Sequence, residues 1–128
     1  MTSMIGIEDK GMSVVLRFRN GRTERVSLVD INSETEQVTG IGADQQNATV
    51  SFNDLKAVFF HHALQSAEME TSPGSTFAVE FSDGEVIRGR AHYNPEKNGF
   101  FLFPLDRSKN DKVFVVSSAI SSIEVERY

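Results

Sequence analysis

Apolar and polar side chains alternate along short runs of this chain. Val14, Leu16 and Phe18 fall two apart, with Val15, Arg17 and Arg19 between and after them. Phe77, Val79 and Phe81 repeat the pattern around Ala78, Glu80 and Ser82. Period two is the mark of a β-strand with one buried face. The runs are rich in Val, Ile, Phe and Thr, which suit a pleated surface. They predict strands at about 12–19, 22–31, 36–42, 47–52 and 56–60, then at about 76–82, 85–93, 99–105, 112–117 and 120–126. Asn20-Gly21 and Asp83-Gly84 lie between strand pairs. They read as two-residue type I′ turns, in which both central residues take positive φ.

The chain also repeats itself. Residues 14–21 align with 77–84 at an offset of 63, matching Phe18 with Phe81, Asn20 with Asp83 and Gly21 with Gly84. Residues 50–60 align with 115–125 at an offset of 65, matching Leu55 with Ile120 and Val58 with Ile123. Five short strands in a flat sheet leave exposed edges, and closure into a small barrel removes them. The predicted fold is therefore all-β, with two tandem five-stranded barrels related by internal duplication. The units are 12–60 and 76–126, joined by a linker at 61–75. The linker begins with a short stretch, 61–68, able to form a turn or two of helix, and ends in Pro73-Gly74. The expected interior is Val14, Leu16, Phe18, Val50, Leu55, Val58, Phe77, Val79, Phe81, Phe101, Val115, Ile120 and Ile123.

The order strand, Asn/Asp-Gly turn, strand, loop and three more strands resembles the Sm-like and SH3-like small barrels. Tyr93-Asn94-Pro95-Glu96-Lys97-Asn98 resembles the Sm signature of an aromatic, then Asp or Asn, then a later Asn. Ile120-Ser121-Ser122-Ile123 resembles the paired apolar residues of the last Sm strand. Asn94-Pro95 followed by Gly99-Phe100-Phe101-Leu102-Phe103-Pro104 is similar to an uncharacterised bacterial domain family, typically duplicated and without an assigned activity. The Sm resemblance would imply RNA binding through an Arg-Gly pair before the last strand. Here those positions hold Val116-Ser117 and Ser51-Phe52, and Glu34 stands in the other loop of the first unit. An acidic side chain opposes a phosphate or uracil pocket.

Composition narrows the functions further. In 128 residues there is no cysteine, so disulfides, thiolate zinc sites and a Cys nucleophile are excluded. No apolar run approaches the roughly 20 residues that span a bilayer. The first residues lack a basic segment followed by a long apolar one, and the expectation is a cytoplasmic protein. The net charge of −5 and pI near 5.1 oppose nonspecific binding to nucleic acid or anionic lipid.

Catalytic and cofactor constellations are missing from the sequence. Gly40-Ile41-Gly42 is too short for a phosphate loop and lacks the following Lys. His61 and His62 are adjacent and point apart, and His92 lies in the other unit, so no metal site is expected. No cofactor is expected either. The candidate partner-binding residues are Arg17, Arg19, Arg22 and Arg25 at the first hairpin, with Phe59 or Phe60 as an apolar anchor. With a two-residue turn, Arg17, Arg19, Arg22 and Glu24 would share a face. The second hairpin carries Glu80, Asp83 and Glu85 instead. Guanidinium forks suit carboxylates and phosphates alike. The leading expectation is a non-catalytic protein–protein interaction module, an adaptor or regulatory subunit in bacterial signalling, binding an acidic protein surface. The alternative is an Sm-like RNA-binding protein. Outward phenylalanines among 100–103 would pack between the units, or serve a partner or a homodimer.

Overall fold

The alternating runs become ten strands in the computed structural model, which describes residues 11–60, 75–93, 96–105 and 112–126. They are β1 (Ser13–Phe18), β2 (Thr23–Asn32), β3 (Gln37–Ile41), β4 (Asn47–Ser51), β5 (Leu55–Phe60), β6 (Ser75–Phe81), β7 (Val86–Ala91), β8 (Gly99–Pro104), β9 (Lys112–Val116) and β10 (Ile120–Glu126). A short 3-10 turn, Ser117–Ala119, precedes β10. All ten strands lie in one sheet, in the order β10-β6-β7-β8-β9-β5-β1-β2-β3-β4. Every neighbouring pair is antiparallel. No helix among the described residues is long and apolar enough to cross a membrane.

The expected closure of each unit into its own barrel is replaced by one open sheet. The joint is β5 against β9, with Ala57 opposite Val115, Val58 opposite Phe114 and Phe59 opposite Val113. Its cause lies in those two strands. Every residue of Leu55–Phe60 and of Lys112–Val116 is buried. Strands apolar on both faces need cover on both, and are best placed in the middle of a sheet. The buried side chains of both halves form one cluster, from Val14 and Val38 to Val79 and Leu102. Among the described residues no second layer covers it. The registers put Val14 and Leu16 on the face of Val58 and Phe114, and Val79 and Leu102 on the opposite face with Val113 and Phe59, so each half curls over a different face of β5 and β9. Register shifts at Arg17/Phe18, Leu28/Asp30 and Ile120/Ser122 supply local bends.

Most of the expected interior is buried. Val50, Ile120 and Ile123 are only half-buried, because β4 and β10 are the outermost strands. The parity of β8 is opposite to the expected one: Phe100 and Leu102 are buried, and Phe101 is half-buried on the other face. There Phe101 packs edge-on to Phe60 and Phe114, with ring centroids 6.0 and 5.3 Å apart.

Both hairpin turns differ from type I′. Phe18 pairs with Arg22, and Gly21 N–H donates to Phe18 O at 3.1 Å. Gly21 and Gly84 have φ of +91° and +93°, whereas neither Asn20 nor Asp83 has positive φ. The loops are thus three residues long and end in a left-handed glycine. The Asn20 and Asp83 carboxamide and carboxylate oxygens accept from the N–H groups of Arg22 and Glu85. With this loop, Arg17 faces Thr23 and Val15 faces Arg25, so Arg25 joins the Arg17 face and Glu24 leaves it. The 61–74 part of the linker with His61 and His62, the Asn94-Pro95 step and residues 106–111 lie outside the described residues.

Candidate interaction surface

The charged residues divide into those that tie the halves together and those that face outward. Lys56, in β5, is the centre of the first group. Its side chain is 8% exposed, an unusual place for an ammonium. The group is held by two carboxylates from the second hairpin, Asp83 at 2.8 Å and Glu85, and lies 4.9 Å from the Phe81 ring centre. The hydrogen bond from Lys56, then that from the Glu85 N–H, hold the Asp83 carboxyl below its ordinary value of 3.8.

Arg17 and Arg19 complete this seam. The Arg17 guanidinium stacks on the Phe59 ring at 4.2 Å and lies 3.5 Å from Glu85. Arg19 donates to the carbonyls of Leu55 at 2.9 Å and Phe52 at 3.0 Å, and to Ser118 Oγ. Ser118 belongs to the turn before β10, so Arg19 reaches from one half into the other. At the other end of the seam, Asn98 Nδ2 donates to Ser33 O at 3.0 Å.

The second group is Arg22 and Arg25. Both are exposed. Arg22 lies over the Phe18 ring at 4.3 Å, and Arg25 donates to Ser13 Oγ at 3.0 Å. Beside Arg22 is an open cleft of about 290 Å³, lined by Phe18, Arg19, Asn20, Arg22, Asn53 and Asp54. Phe59 and Phe60 are 4% and 0% exposed, so neither offers an anchor at the surface of this fold. They pack inward at the joint between the halves.

The first hairpin's four arginines are therefore not one patch. The residue that sequence reasoning passed over is Lys56, and with it the pairing of Asp83 and Glu85 across the seam. Their signal was present at matched turn positions: a basic Arg22 against an acidic Glu85, and a neutral Asn20 against an acidic Asp83. Among the described residues there is no group of three or more His, Asp or Glu placed to hold a metal ion. His92 is exposed.

No curated protein and no solved structure matches the chain. One family model does, over residues 9–127, and that span takes in all ten strands and both groups of charges. The chain belongs to the family of unknown function DUF6982.

Proposed function

We propose that this protein is a non-catalytic protein–protein interaction module that binds an acidic protein surface at the first hairpin, with Arg22 as the contact residue and Arg25 exposed on the opposite face of β2. The observation that carries this reading is the exposed Arg22, stacked on Phe18 beside a cleft that both line with Arg19, Asn20, Asn53 and Asp54. A guanidinium held over a ring presents its N–H fork to a carboxylate. Arg17 and Arg19 act indirectly, by fixing the hairpin against the second half.

The finer architecture belongs to the same reading. Each half has the same internal strand order, β5-β1-β2-β3-β4 and β10-β6-β7-β8-β9. The pairings repeat as well: Val14, Leu16 and Phe18 face Phe60, Val58 and Leu55, while Phe77, Val79 and Phe81 face Val125, Ile123 and Ile120. These sets differ by the offsets of 63 and 65, which supports two SH3/Sm-type units that arose by duplication and then fused edge to edge. A cytoplasmic adaptor or regulatory subunit in bacterial signalling is the role proposed for them.

The test is the double reversal Arg22→Glu/Arg25→Glu. Both side chains are exposed, so the melting temperature should stay within a few degrees of wild type. Capture of acidic partners from native lysate should fall at least about tenfold. Undiminished capture would move the site off this hairpin. Tight, salt-dependent shifts of oligo-U or oligo-A, lost in the same variant, would instead favour an RNA ligand.

A further inference from the structure

The internal joint leaves a matching pair of edges unused. β5 and β9 meet in the middle of the sheet, and their repeat equivalents, β10 and β4, end it on either side. β10 corresponds to β5, and β4 to β9, both at the offset of 65. The outer strands carry the signs of a joint not yet made. Where β5 and β9 are wholly buried, β10 and β4 are half-buried or exposed, and Val125 is 51% exposed. β4, Asn47–Ser51, has neither a charge nor a proline, the usual devices that blunt an edge.

We propose that a second copy of this chain supplies the partner: the β10 edge of one molecule pairs antiparallel with the β4 edge of the next. This rests on the reading of Arg22 as a contact residue and names what it contacts. Adding 65 to the β5 residues and subtracting 65 from the β9 residues gives the register. Ser122 faces Val50, Ile123 faces Thr49, Glu124 faces Ala48 and Val125 faces Asn47 of the second copy.

Charge decides in favour of this partner. At the internal joint Arg17 pairs with Glu85. Shifted by 63, these positions become Glu80 and Arg22. The ion pair is thus regenerated between copies with its polarity reversed. Lys56 and Asp83 become Ser121 and Asn20, a neutral polar pair. Arg19 and Ser118 become Ser82 and Asn53, also neutral. No like charges meet at these positions. Glu80 and Arg22 are both exposed in the single chain. The reversal also sorts the edges. A β10 edge flanked by Glu80 fits a β4 edge flanked by Arg22, so copies add head to tail. Such a contact is heterologous, and it closes as a ring or continues as a filament.

Sedimentation of the full chain tests this first. At about 100 µM it should run as a species heavier than one 14.2 kDa chain. Arg22→Glu and Glu80→Arg should each weaken association at least about tenfold, and the double variant Arg22→Glu/Glu80→Arg should recover it. The absence of native cysteine permits a test of register. Glu124→Cys mixed with Ala48→Cys should form a disulfide-linked pair under mild oxidation, because directly opposed residues lie within bridging distance. A monomeric wild type, association indifferent to either reversal, or no cross-link would each overturn the proposal. Glu80→Arg separates it from the broader reading. That change should abolish self-association while leaving capture of a different acidic protein unaltered.

Discussion

Asp83 reports on the seam at the scale of one residue. Its carboxylate holds a buried ammonium, and its titration is therefore coupled to folding. Because the folded-state value lies below 3.8, the stability this group adds is fully present above that pH. It is lost as the pH falls through the lower, folded-state value. Asp83→Asn should accordingly lower the melting temperature at pH 6, and the gap to wild type should narrow steadily below about pH 4. A gap independent of pH would mean that Lys56 draws its support from Glu85 alone. Residue roles of this kind were only partly legible in the sequence. The crowding of four arginines was visible, but alternation cannot tell which of them face a neighbouring half. Arg17 lies against the Phe59 ring and Glu85, and Arg19 reaches the carbonyls of Leu55 and Phe52 and the Ser118 hydroxyl. Among the described residues, the side chains of Arg22 and Arg25 have no such neighbour from the second half.

The individual elements were the most legible level. Period-two runs bounded by Asn-Gly and Asp-Gly located the hairpins to within a residue or two, because local sterics govern them. The turn type was not legible. Asn-Gly suits both a two-residue turn and a three-residue loop ending in a left-handed glycine, and the strand register chooses between them. The glycines carry a testable cost. A Cβ at φ near +90° is strained, so Gly21→Ala and Gly84→Ala should each lose about 1–2 kcal/mol in urea unfolding. Gly84→Ala should lose the more, since its loop also aims Asp83 and Glu85 at Lys56. Equal losses would show that the loop alone does not set the geometry of the carboxylates. The parity of β8 escaped for a similar reason. Gly99-Phe100-Phe101-Leu102-Phe103 is apolar at every position, and only its neighbours Phe60 and Phe114 fix which side is which.

At the scale of the molecule, an all-β chain was legible and the joining of its strands into one open sheet was not. Alternation says which face of a strand is wet, not which edge is paired. A clue was nonetheless present in β5 and β9, whose unbroken runs Leu55-Lys56-Ala57-Val58-Phe59-Phe60 and Lys112-Val113-Phe114-Val115-Val116 lack the alternation of a one-faced strand. With one shared core, the two halves should unfold together in a single calorimetric transition, and residues 1–60 made alone should fail to fold cooperatively. Two separable transitions would count against the shared core. The same joint has a consequence during synthesis. β5 leaves the ribosome roughly 50 residues before β9, which at typical elongation rates is an interval of about 3–10 s. For that time β5 can pair with β1 alone, and its β9 edge stays open. Slower translation across the second half should then lengthen that exposure and raise the fraction of chains lost to aggregation.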